Sequence, residues 1–199
     1  AWVRTDGMPL LVNREHFMPD GYQPVELVDM SSYCPGNIVK IKYSGTQAER
    51  VAVDALIRML KDAHTQGITV WQVSAAYRGE SYQQQLFDQQ VQEYMDKNDL
   101  SRADAISATR LTVMEPGSSE HHTGLAFDIT VPGVAFKGTE QAEWLAENCW
   151  QYGFIIRYTS DKEDVTGILA EPWHIRYVGV EHSIPMRQQN LCLEEYIAK

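Results

Sequence analysis

Long apolar runs are missing from this chain. No stretch approaches the ~20 consecutive apolar residues that a membrane-spanning helix needs, so no membrane contact is expected within it. A basic segment is missing too. With 17 Lys and Arg against 27 Asp and Glu the net charge is −10, which argues against nucleic acid as a partner, since nothing could neutralise a phosphate backbone over a broad surface. Cysteine is scarce. Cys34, Cys149 and Cys192 are odd in number and lack paired metal-ligand spacing, so at least one is unbridged within the monomer, and all three read as small apolar residues. The opening residues Ala1-Trp2-Val3-Arg4 do not make a signal peptide. Numbering from Ala1 without a Met carries the expectation that an upstream targeting or anchoring segment was removed. Repeats, low-complexity segments and a splitting linker are also absent. The 199 residues, 44% hydrophobic and 22% charged, are therefore expected to form a single domain, with residues 1–24 as an N-terminal arm.

What is present is an alternation of short elements. Ile38-Val39-Lys40-Ile41-Lys42-Tyr43 reads as an edge strand whose lysines face solvent. Thr46 with Glu49 forms a capping box, and Ala52, Ala55, Leu56, Met59, Leu60 and Ala63 recur at helical spacing. The spacing predicts a helix over about 47–65, stopped by Gly67. Residues 68–74, rich in β-branched and aromatic side chains, predict a central strand. A helix over about 80–96 follows, with Tyr82, Leu86, Val91 and Met95 as its buried stripe. Further helices are expected over about 101–112, 139–152 and 184–197, and strands at 154–158 and 171–177. The expected fold is α+β, a small antiparallel sheet with helices packed against one side and the ends.

The chemistry concentrates in Ser119-Glu120-His121-His122-Thr123-Gly124-Leu125-Ala126-Phe127-Asp128 and the distant Glu171-Pro172-Trp173-His174. Leu125, Phe127 and Ile129 alternate with Ala126, Asp128 and Thr130, the period of a strand with one apolar face. Asp128 thus shares a face with small Ala126, which leaves room beside the carboxylate. Gly124 lets the backbone turn or approach a neighbour with no Cβ in the way. His121, Asp128 and His174 together make two imidazoles and one carboxylate, a donor set that suits Zn²⁺ with a fourth position left for water. Glu171 and His174 are three apart and would face opposite ways in an ideal strand. Pro172 cannot donate to a ladder, and predicts a local break that turns both towards one ion. Arg78, delivered by a strand end ahead of a helix, is a further site candidate.

The pattern Ser-x-His-x-x-Gly-x-Ala-x-Asp followed by Glu-x-x-His resembles the zinc D-alanyl-D-alanine metallopeptidases, the VanY-type carboxypeptidases and VanXY-type dipeptidase/carboxypeptidases of vancomycin resistance. Ser119, His121, Gly124, Ala126, Asp128, Glu171 and His174 fill every fixed position, and the similarity runs from residue 70 to about 196. The resemblance implies one Zn²⁺ per chain on His121, Asp128 and His174, with Glu171 as general base and acid and Arg78 stabilising the oxyanion. It also implies that Ser119 and Gln83 hold a terminal carboxylate, while Tyr77 and Trp173 wall a pocket for a small side chain. The implied substrates are peptidoglycan precursor peptides ending in D-Ala-D-Ala, either the free dipeptide or the pentapeptide stem. Trimming them would deprive glycopeptide antibiotics of their target. Ala75 and Ala76 depart from the family, which commonly has Ser or Asp and then Gly there, so a hydrogen bond from position 75 is lost.

An L,D-carboxypeptidase or cell-wall endopeptidase on the same fold is the enzymatic alternative. A non-catalytic zinc-binding module is the alternative from another class, and it would have no need to retain Glu171 and Arg78 together. A monomeric bacterial protein is expected. Stem trimming would put it at the extracytoplasmic face of the membrane through a segment absent from this chain, and free-dipeptide cleavage would put it in the cytoplasm.

Overall fold

The computed structural model describes residues 3–199; Ala1 and Trp2 of the expected arm lie outside the described residues. In chain order come β1 (Leu27–Asp29), α1 (Met30–Tyr33), β2 (Val39–Ile41), β3 (Gln47–Glu49), α2 (Arg50–Thr65), β4 (Trp71–Ala75), α3 (Glu80–Asn98) and α4 (Arg102–Thr109). Then follow β5 (Ala126–Thr130), α5 (Glu140–Asn148), β6 (Phe154–Tyr158), α6 (Glu163–Thr166), β7 (Glu171–Tyr177), α7 (Val180–Gln189) and α8 (Leu193–Ile197). Five strands make one sheet in the order β2-β4-β5-β7-β6, and β1 and β3 form a separate antiparallel pair. The four strands from β4 to β6 in that sheet pair antiparallel. The edge strand β2 joins parallel to β4, because its route there passes through α2, the helical crossover that parallel pairing requires. The α+β architecture is the expected one, with a mixed sheet in place of a purely antiparallel one.

The apolar stripe of α2 is the one its spacing predicts. Ala52, Ala55, Leu56, Met59, Leu60 and Ala63 are fully buried against Trp71, Val73, Phe127, Ile129 and Phe154 of the sheet. Burying each leucine or methionine side chain contributes about 1.5–3 kcal/mol. The helix start differs from the expected one. Residues 47–49 are extended against β1, and the Glu49 carboxylate accepts the backbone N–H groups of Val25 and Glu26 instead of completing a capping box. In α3 the buried side chains are Gln83, Phe87 and Val91, whereas Tyr82 is 54% exposed. The face is rotated because α4 packs Ala105 against Phe87 and Val91. The closing helix is two helices, parted at Asn190, whose left-handed backbone (φ +50°) ends α7. Successive strand residues face opposite sides of a sheet. Ile155 accordingly points away from the main core into a second cluster with Leu11 of the arm, Met186 of α7 and Leu193 of α8.

Gly124 joins this frame to the site. Its φ is +76°, and a Cβ there would lie 3.1 Å from Glu49 Cγ and 3.3 Å from the Glu49 backbone nitrogen, which donates to the Gly124 carbonyl at 2.9 Å. Gly124→Ala is therefore expected to lower stability by about 1–3 kcal/mol. Urea unfolding would check this, and an unchanged midpoint would contradict it.

Candidate metal centre

Three adjacent strands set Ala75, Asp128 and His174 side by side. Ala75 is the cross-strand partner of Asp128, and Asp128 of His174. His121 reaches the same point from a 3₁₀ turn over Glu120–Thr123, immediately before β5. That turn is fastened to the segment following β4. Arg78 N–H donates to the His121 carbonyl (3.1 Å), His121 Nδ1–H to the Ala76 carbonyl (2.7 Å) and His122 Nδ1–H to the Arg78 carbonyl (2.7 Å). The Ser119 hydroxyl caps the turn by accepting the His121 N–H.

His121 Nε2 lies 3.2 Å and His174 Nδ1 3.4 Å from Asp128 Oδ1, and one donor atom from each of the three residues sits within 4.8 Å of the others. The Ala76 carbonyl and the Glu120 carboxylate only accept, so the imidazole protons belong on His121 Nδ1 and on His174 Nε2, which is 2.8 Å from Glu120 Oε1. With both rings neutral, the inward nitrogens carry lone pairs. Asp128 Oδ1 is buried and makes no hydrogen bond. Three acceptors thus converge without a donor, an arrangement that a cation completes and that matches the nitrogen and oxygen ligands of zinc.

The electrostatics agree with this. Burial alone would raise the Asp128 carboxyl pKa, but His121 and His174 outweigh it and hold it well below the usual carboxylate range. Burial disfavours a charged His174, yet the surrounding carboxylates of Asp128, Glu120 and Glu171 raise its pKa well above that of an ordinary imidazole. His121 is pushed down by burial and by Arg78. The negative field that would hold a proton on His174 serves a divalent cation equally.

The expected break in β7 is present. Ile156 pairs with Ile175 and Tyr158 with Glu171, so the ladder slips across Pro172, Trp173 and His174. Glu171 Oε2 is thereby brought to 3.4 Å from His174 Nδ1. Arg78 Nη2 lies 3.4 Å from Asp128 Oδ2 and Nη1 lies 3.5 Å from Gln83 Oε1. Both contacts are long, and the arginine side chain keeps 20% of its exposure. A cavity of about 330 Å³ opens here, lined by the three donors together with Arg78, Gln83, Ser119, Glu171 and Trp173. Gln83 is 1% exposed, and its Nε2 donates to the Met114 carbonyl at 2.7 Å. Tyr77 lines a neighbouring cavity that also touches Arg78 and Asp128.

Sequence reasoning missed Glu120. Its carboxylate is 1% exposed and accepts from His174 Nε2, Arg157 Nε (2.9 Å) and Arg176 Nη1 (3.0 Å). Burial would raise its pKa, but the two guanidinium groups override that and hold it well below the carboxylate range. The available signal was a pair of arginines, Arg157 and Arg176, inside strands otherwise rich in apolar residues. Cys34, Cys149 and Cys192 are all free and buried. Burial pushes the Cys34 thiol up to about 11 and that of Cys149 up to about 12, so they are inert at neutral pH.

Fold and donor set together suit a single zinc ion, with the Glu171 carboxylate and the Arg78 guanidinium lining the same cavity. Residues 45–180 match the family model of VanY, D-alanyl-D-alanine carboxypeptidase. The chain is 38% identical over 188 residues to a D-alanyl-D-alanine carboxypeptidase of Enterococcus faecalis, a match covering 94% of this chain and 65% of that one, which is less than two thirds of the relative's length. It superposes on VanYB in complex with D-alanine-D-alanine with a TM-score of 0.82, at 36% identity over 95% of this chain and 96% of that one. For a mutant of the vancomycin-resistance D,D-pentapeptidase VanY in complex with Zn(II), the TM-score is 0.81, at 37% identity over 94% and 97%. The chain belongs to the VanY family of D-alanyl-D-alanine carboxypeptidases.

Proposed function

We propose that this chain is a zinc D,D-carboxypeptidase, one metallopeptidase domain that removes the terminal D-Ala from peptidoglycan stems ending in D-Ala-D-Ala and so contributes to glycopeptide resistance. The observation that carries this reading is the placement of Glu171 and Arg78, each 3.4 Å from an atom of the His121, Asp128 and His174 set. A purely structural zinc site has no use for that pair. The cavity runs along α3 past Leu86, Gln89 and Gln90, which supports a substrate that continues beyond the scissile bond.

Zn²⁺ bound at the three donors supplies a Lewis acid for the scissile carbonyl and lowers the pKa of a water to ~7. Glu171 takes the proton of the attacking water and passes it to the leaving D-Ala amine, so a C–O bond forms and the C–N bond breaks. Arg78, free to swing from its long contacts, stabilises the charge that develops on the carbonyl oxygen, an effect of ~3–4 kcal/mol where one such donor has been removed elsewhere. The Ser119 hydroxyl accepts from the His121 N–H and keeps its own proton to donate to the terminal carboxylate. Gln83 has one amide proton beyond the one given to Met114 for the same purpose. Trp173 walls the small side-chain pocket, and Tyr77 supports Arg78 from the adjoining cavity.

Arg78→Ala is expected to lower kcat/KM for D-Ala release by about 10²- to 10³-fold, with zinc content unchanged. The reading itself is tested by comparing a pentapeptide stem, free D-Ala-D-Ala and a tetrapeptide stem ending in an L,D bond. The pentapeptide should be cleaved fastest. Cleavage confined to the tetrapeptide would replace the proposal with an L,D-carboxypeptidase. Acting on stems would place the enzyme, as a monomer, on the extracytoplasmic face of a bacterial membrane. No helix among the described residues is long and apolar enough to cross a membrane.

A further inference from the structure

Behind His174 lies a buried chain of charges that the proposed reaction does not use. Glu120 holds His174 Nε2–H on one carboxylate oxygen and two guanidinium groups on the other. Arg157, with no exposed side-chain surface, turns its remaining two nitrogens to Glu194 of α8 at 2.8 and 2.7 Å. Arg176 turns Nη2 to the Leu10 carbonyl at 2.7 Å, and Asn13 Nδ2 donates to Glu194 Oε1 at 3.3 Å. Two carboxylates and two guanidinium groups balance, and both ends of the chain contribute: the arm through Leu10 and Asn13, and α8 through Glu194. These outer members lie outside residues 45–180, the part that matches the family model.

We infer that Glu120 is a positioning residue for the metal ligand His174, and that docking of the arm and α8 onto Arg157 and Arg176 sets the affinity of the zinc centre. A carboxylate on the outer nitrogen of a metal-bound imidazole fixes its tautomer and raises its basicity. The strength of that acceptor depends on how its charge is shared. While Glu194 neutralises Arg157, Glu120 keeps electron density for His174. Without Glu194 the whole Arg157 charge falls on Glu120, and His174 becomes a poorer donor to the metal. This inference rests on the zinc-centre reading above, and not on which bond is cut.

The test measures the zinc dissociation constant of the full chain by chelator competition, together with the visible spectrum of the Co²⁺-loaded protein. Glu120→Gln should raise the constant about 10- to 100-fold, the usual effect of losing an outer partner, and should shift the Co²⁺ bands. Glu194→Gln, at the partly exposed end of the network, should raise it about 3- to 10-fold, below that range because it acts through Arg157. Lys162→Gln breaks a different tie to α8, the ion pair with Glu195 at 3.0 Å, and should leave constant and spectrum unchanged. Should Glu120→Gln protein fail to fold, Glu194→Gln decides. A folded Glu194→Gln protein with wild-type affinity and spectrum overturns the inference while the zinc centre stands. Equal weakening by Lys162→Gln would reduce the network to ordinary helix docking and overturn it as well. If the wild-type chain binds no zinc, the centre and the inference fall together.

Discussion

Glu171→Gln is expected to lower kcat for D-Ala release by about 10³-fold, within the range for loss of a general acid–base group, while one zinc stays bound per chain. The carboxylate is not among the three convergent donors, and its Oε2 lies 3.4 Å from His174 Nδ1 in the lining of the cavity. An amide of the same size fills the place but cannot take up and return a proton. Zinc analysis beside the rate assay separates the possibilities. Loss of zinc together with activity would make Glu171 a ligand, and an unchanged kcat would remove it from the chemistry.

Asp128→Asn should have the other large effect, now on the metal. Asp128 is the only anionic member of the donor set, its Oδ1 has no hydrogen-bond partner, and two imidazole nitrogens lie 3.2 and 3.4 Å from it. An Asn side chain keeps the shape and removes the charge that offsets the cation. Zinc affinity is expected to fall more than 100-fold, beyond the ~10–100-fold typical of an outer partner, with D-Ala release at background. Chelator competition and zinc content after dialysis check this. Affinity within tenfold of wild type would show that the metal sits elsewhere.

Much of the site was legible in the chain because its logic is local. The alternation around Asp128, the glycine at 124 and the proline at 172 each dictate a backbone shape, and each shape is found. The stripe of α2 was legible for the same reason, since seven buried side chains follow one helical period. What escaped depends on distant partners. Glu120 is the unspecified position between Ser119 and His121 in the pattern, and the groups that make it matter are 37, 54 and 56 residues away. Glu49 presents a good local capping pattern with Thr46, but backbone N–H groups 23 and 24 residues upstream compete for its carboxylate and win. In α3 the expected stripe of Tyr82, Leu86, Val91 and Met95 gives way to Gln83, Phe87 and Val91, because α4 packs on that face. Gln83 shows the same dependence: its family resemblance points to the substrate, while its burial comes from donating to the Met114 carbonyl.

The most direct test of a zinc-dependent D,D-carboxypeptidase is titration of the metal-stripped full chain with Zn²⁺, following D-Ala release from a pentapeptide stem. Release should be absent without metal, rise linearly with added zinc and level off at one equivalent, as a single His121, Asp128 and His174 centre requires. Release that persists without metal, or no release once one zinc is bound, would contradict the account.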